Sequence, residues 1–281
     1  MAKTADSRFG FPLGKIRAFE RDVQAALETV ALEASRYTDP LSETENVRRT
    51  WTSTLATLGA EATDAAIALV DRGDLRMVML LVRSLYEYSN KATYYSNHID
   101  EARLDARAAW AFRVRMIEVA ISDFSPTVEP LDRENKVKVT PISNIVNAIT
   151  ERVAASGTDA GDRFRRHYHD GFYAYSSAIA HGGPGAINDV FRFESAIGEE
   201  QRQVWLRRRP ESLKVIGHAQ VAFQSWLLLF ALTALSPVNH AIDVDKLLER
   251  WSTFDAPLLA FKQRHIDEVG FEQAALDSFG T

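Results

Sequence analysis

Two stretches of this sequence carry residues that could do chemistry. In LVRSLYEYSNKATYY, Arg83 and Glu87 stand four apart, and Asn90 and Tyr94 continue the same helical stripe. They follow an apolar run, so a guanidinium and a carboxylate there need each other or a ligand. In YSSAIAHGGPG, His181 falls in the last turn of a helix, with Tyr175 and Ser176 within two turns before it and Gly182 and Gly183 directly after. The negative end of a helix favours protonated imidazole, which suits a general acid, a general base or a phosphate partner. The glycines supply a left-handed cap and let a ligand approach the backbone. Each stretch also has a structural reading: an ion pair that satisfies itself, and a histidine that merely caps a helix.

Other chemistry has less support. His167 and Asp170 share a face but have no second ligand pair, and HExxH and ExxH are absent, so no metal site is expected. Arg207, Arg208 and Arg209 form a basic cluster that is either solvated or a nucleic-acid contact. No glycine-rich phosphate loop and no GxSxG elbow occurs, and no cofactor is expected. The chain has no cysteine, which excludes thiol nucleophiles, thiolate metal sites and disulfides. A net charge of -5 argues against a basic face over the whole protein.

The elements that must position these residues are helical almost throughout. Ile16, Phe19, Val23, Leu27, Val30 and Ala34 fall on one face of a first helix. Ser42 and Glu45 form a capping box before a second, with Val47, Trp51, Leu55, Leu58, Ala62, Ala66 and Leu69 as its apolar positions. Gly73 stops it and Asp74 starts a third, apolar all round from Met77 to Val82 and therefore expected to be buried there. Asp100 is expected to cap a fourth helix, with Leu104, Ala108, Ala111, Val114, Ile117 and Ile121 inward. Residues 125–141, with three prolines and dense charge, read as a long surface connection within one domain, 1–281. Thr140 and Pro141 open the next helix, which is expected to reach Gly157; another is expected from about Asp159 to His181. Alternation at Phe191, Phe193, Val204 and Leu206 predicts one short β-hairpin near residues 189–208. A core helix, Glu211–Leu235, and peripheral C-terminal helices over 243–281 complete a mainly α, irregular single bundle. The apolar run WLLLFALTAL is too short to span a bilayer, and the N-terminus lacks a signal-peptide core. The expected location is the cytoplasm, with no membrane association.

The R-S-L-x-E helix (Arg83, Ser84, Leu85, Glu87) and the Y-S-x-x-x-x-H helix end (Tyr175, Ser176, His181) resemble a bacterial all-helical family described as a domain of unknown function. The resemblance covers roughly residues 48–235 and is remotely similar to HEPN-type bundles, many of them metal-independent ribonucleases or non-catalytic relatives in defence and toxin systems. It implies a homodimer and an RNA or protein partner. HEPN ribonucleases carry an arginine, then four to six residues, then a histidine, the arginine for phosphate charge and the histidine for the 2′-hydroxyl proton. Here Ser176 stands five before His181; Arg163 and His169 have the spacing, which an Arg-rich chain with 7 histidines also meets by chance.

Two functions follow. The first is a non-catalytic bundle binding a partner protein or small ligand through a polar site inside the bundle. The second is a HEPN-like ribonuclease or phosphate-ester-processing protein, with Arg83 holding phosphate, Glu87 orienting it and His181 moving the proton. The acidic net charge and the missing arginine favour the first.

Overall fold

The computed structural model describes residues 11–122, 139–155, 165–180 and 199–270; at 76, 111–122, 166–168, 175, 179, 199–211, 268 and 269 it describes the backbone alone. Among these residues every regular element is a helix. Helix α1 (Leu13–Arg36), α2 (Glu43–Arg72), α3 (Leu75–Tyr95) and α4 (Ile99–Ser122) precede α5 (Ile142–Ala154). A π-helical segment, Arg165–Tyr173, runs into α6 (Ala174–Ala180). Then come α7 (Glu199–Leu235), α8 (Val244–Ser252) and α9 (Asp255–Val269).

The centre is a layer in which α7 packs against α1, α2 and α3. The α1 stripe forms as its period demands: Ile16, Phe19, Val23, Leu27, Val30 and Ala34 are all buried. The capping box is present, with Ser42 N–H donating to Glu45 Oε2 at 2.8 Å and Glu45 N–H to Ser42 Oγ at 3.2 Å. Gly73 ends α2 at φ 85°, a left-handed conformation that favours glycine. The Ser212–Leu235 part of α7 is the one described helix long and apolar enough to cross a membrane, but 61% of its most apolar stretch is buried inside the protein. One of its polar interruptions is bonded in that interior: Ser225 Oγ lies 2.8 Å from Thr63 Oγ1, which bonds Gly59 O at 2.7 Å.

At Gly59, α2 packs tightly against Leu228 of α7. A Cβ there would lie 2.3 Å from Leu228 Cδ2, on a side chain that is fully buried. Gly→Ala inside a helix normally gains about 0.5–1 kcal/mol. Gly59→Ala is instead expected to lose about 1–2 kcal/mol through overpacking, and an unchanged or higher urea midpoint would show that Leu228 simply moves aside.

Several sequence expectations are corrected. Residues 199–208 are helical, so the second arm of the hairpin does not exist; its first arm lies outside the described residues. α7 begins twelve residues before the expected Glu211 and runs through Pro210. Met77 is 53% exposed; of that apolar run Val78, Met79 and Val82 are buried and Leu81 packs partly buried against them. Leu104 is 51% exposed and does not point inward, whereas Ala108 does; the side chains of Ala111, Val114, Ile117 and Ile121 are outside the description. Asp100 lies in the first turn of α4, not at its cap. Thr140 does not cap α5: the N-cap residue is Pro141, and Thr140 bonds Asp105 instead. α5 stops at Ala154, short of Gly157. Asp74 is the N-cap residue of α3 but makes no side-chain cap bond, its carboxylate pairing with Arg72 at 3.4 Å. The C-terminal helices carry core residues: Leu247, Phe254 and Phe261 are buried, and Phe254 meets Phe19 edge-on at 5.8 Å.

Candidate functional site

Arg83 and Glu87 lie on α3, and Tyr173 of the π-helical segment reaches the Arg83 guanidinium. Arg83 Nε donates to Glu87 Oε1 at 3.1 Å, and Nη2 donates to Tyr173 OH at 3.3 Å. The guanidinium also lies over the Tyr173 ring, 4.9 Å from its centre. Their side chains are 19% and 26% exposed, so the pair is half-buried rather than enclosed. His169 stacks on Tyr173 with ring centres 5.1 Å apart. Its Nδ1 is buried without a hydrogen-bond partner among the described residues. Burial holds the His169 imidazole below its ordinary pKa, with Arg165 acting the same way and Asp170 opposing.

Beneath this ledge is an apolar floor. Phe172 and Tyr86 are buried with Val82, Val146 and Met79. The Tyr86 ring lies 5.6 Å from Tyr173 and 6.1 Å from Phe172, and burial pushes its hydroxyl well up. The floor fixes Tyr173, and Tyr173 fixes Arg83.

Of the residues expected at the site, Arg83 and Glu87 are brought together. Ser176 is fully buried and its hydroxyl donates to Tyr173 O at 3.0 Å. The Asn90 amide donates to Tyr86 O at 2.8 Å, also in the interior. Both groups are satisfied by local backbone. Tyr175 is helical in α6, which packs on α3; its side chain is not described, and His181, Gly182, Gly183 and Arg163 lie outside the described residues. Sequence reasoning missed Tyr173 as the partner of Arg83, since a contact across 90 positions leaves no spacing signal.

It also missed a second polar cluster. His218 on α7 is fully buried. Its Nδ1 is 2.8 Å from Glu20 Oε2 and its Nε2 is 3.2 Å from Asp71 Oδ1. Arg17 donates to both Asp71 and His218, and Lys214 Nζ donates to Asp71 O at 2.8 Å. The one signal was a histidine interrupting an apolar helix. An open groove of about 420 Å³ between α1 and α2, lined by Gln24, Glu28, Leu32, Glu61 and Asp64 among others, holds none of the residues singled out above.

The exposure of the Arg83–Glu87 pair sets its energetic weight. A fully buried pair would cost about 3–5 kcal/mol to break and an exposed one about 0–1. Arg83→Met and Glu87→Gln are each expected to cost about 1–2 kcal/mol, between these limits. Losses above about 3 kcal/mol in thermal melts would mean that the ledge is closed to solvent.

No family model, curated protein or solved structure matches this chain.

Proposed function

We propose that this protein is a non-catalytic binding bundle, and that its half-buried Arg83 receives an anionic group, phosphate or carboxylate, of a small ligand or partner protein. The observation that carries this reading is the way Arg83 is held. Glu87 and Tyr173 fix the guanidinium in place, yet it keeps access to solvent. A fixed guanidinium loses little freedom on binding and presents a planar pair of donors. Ser176 and Asn90, which could have served a reacting group, are turned inward.

One observation favours the ribonuclease reading. His169, whose burial favours the neutral imidazole, shares the Tyr173 ring with Arg83. A neutral imidazole near a guanidinium is the pairing that 2′-hydroxyl cleavage needs. The expected homodimer and the cytoplasmic location belong to the same proposal, and sedimentation tests the first.

Pyrophosphate, citrate and a labelled single-stranded RNA serve as probes in EDTA. Saturable binding of at least one, weakened about 10-fold or more in Arg83→Gln, is expected from the loss of a charge-assisted hydrogen bond worth about 1.5–3 kcal/mol. Cleavage of the RNA that disappears in His169→Ala or His181→Ala would replace the binding reading with the enzymatic one. Equal affinity in Arg83→Gln would remove Arg83 from the function.

A further inference from the structure

Where α7 ends, three side chains from two parts of the chain stand in one hydrogen-bonded line. Pro237 cannot extend the helical bonding, and the chain turns through residues 236–243. The turn brings His240 back to Ser236, with Nε2 2.8 Å from Ser236 Oγ. On its other side His240 Nδ1 lies 2.7 Å from Glu33 Oε2 of α1. The His240 side chain is almost wholly enclosed, while Ser236 is only half-buried.

The partners decide where the protons sit. An ionised Glu33 can only accept, so Nδ1 carries hydrogen in neutral His240 and Nε2 is left with a free lone pair. Ser236 Oγ already accepts from Val238 N–H at 3.1 Å. With hydrogen on His240 Nδ1, its own hydrogen is the one that can bond Nε2. This is the arrangement of an activated nucleophile: hydroxyl, base, and an acid that orients the base, each pair within 2.6–3.2 Å.

We propose that Ser236 is a nucleophile, with His240 as its general base and Glu33 as a positioning residue, toward small activated acyl or phosphoryl esters. Ser236 Oγ forms a bond to the carbonyl carbon or phosphorus while its proton passes to His240 Nε2. The leaving group departs with the electron pair of the broken bond, and His240 can return the proton to it. This goes beyond the binding reading, in which the Arg83 ledge is non-catalytic, by placing reactivity at a separate site, and it does not depend on that reading, since Arg83 takes no part. Were the three residues merely structural, they would pin the turn to α1, affecting stability but not reactivity.

A small alkyl fluorophosphonate separates the two roles. Attack forms the Ser236 Oγ–P bond, breaks P–F and releases fluoride, and mass spectrometry of the digested full chain locates the adduct. The expected result is labelling at Ser236 in the folded protein and none in urea. His240→Gln should slow it at least about 100-fold, the lower range of a general base. Glu33→Gln, at a partly exposed position where folding is least at risk, should slow it with unchanged helical circular dichroism. No adduct at Ser236 in the folded protein, or equal rates in wild type and Glu33→Gln, overturns the proposal.

Discussion

Replacing His218 by leucine is expected to cost about 3–5 kcal/mol at pH 7, the penalty for removing one partner of a buried ionisable pair. The reason lies in what it would strand. Glu20 is fully buried beside Phe19 and Val23, and Oε1 has no partner among the described residues. Oε2 has His218 at 2.8 Å. Without the imidazole, a carboxyl group would sit in the core with nothing to bond. Asp71 and Arg17 are about 40% exposed and are hydrated either way, so little of the loss arises there. At roughly 2–4 °C per kcal/mol the melting temperature should fall by on the order of 10 °C. Adding Glu20→Met should recover most of the loss, because the interaction belongs to the pair. A single-variant loss below about 1 kcal/mol, or no recovery in the double variant, would contradict this account.

The same carboxyl group gives a pH dependence of definite sign. Burial raises the Glu20 pKa above its ordinary value, and Asp71 adds to this, while His218 and Arg17 oppose it. The folded protein therefore binds this proton more tightly than the unfolded chain. The stabilisation is complete below about 4.5 and is lost as pH rises through the folded value. Glu20→Gln keeps the shape of the neutral acid and does not titrate. Its stability relative to wild type should become more favourable between pH 5 and 8, and a difference that shrinks over that range would mean that the His218 contact outweighs burial.

The two polar clusters show what the sequence could and could not disclose. The α1 stripe was legible because its period repeats over six residues and every one of them is buried. The Ser42–Glu45 box was legible because a cap is a contact across three positions. Glu20 was not. It sits between Phe19 and the next inward residue, and a lone carboxylate beside an apolar stripe ordinarily faces water. Its partner lies 198 positions away, so only the packing of α1 against α7 reveals why it is inside. Arg83 and Glu87 were legible as a pair for the opposite reason, being one turn apart; Tyr173, which completes the site, was not. The hairpin failed because two alternating pairs are a weak signal. Glu199, Glu200, Gln201, Arg202 and Gln203 are good helix formers, and they carry α7 through that stretch and past Pro210.

Asp105 should be nearly as sensitive as His218, and its loss should reach the candidate site. It is buried on α4, where Oδ2 accepts from Tyr95 OH at 2.5 Å and Oδ1 accepts from Thr140 N–H at 3.0 Å and Thr140 Oγ1 at 3.2 Å. One carboxylate thus ties α3 and α4 to the residue that leads into α5. From there α5 places Val146 beside Phe172 and Tyr86, the floor that fixes Tyr173 under Arg83. Asp105→Ala would leave the Tyr95 hydroxyl, which belongs to a fully buried side chain, and the Thr140 amide without their acceptor. Hydrogen bonds to a charged group are worth about 1.5–3 kcal/mol each, so a loss of about 3–4 kcal/mol is expected. Tyr95→Phe removes a single donor and should cost only about 1 kcal/mol. The decisive reading is hydrogen exchange rather than the melt alone. In Asp105→Ala, amides of α5 should open faster relative to those of α1, because only α5 is released from its anchor. If α5 exchanged no faster than α1, Thr140 would not be what seats the helix, and the Arg83 ledge would have to rest on α3 and the π-helical segment alone.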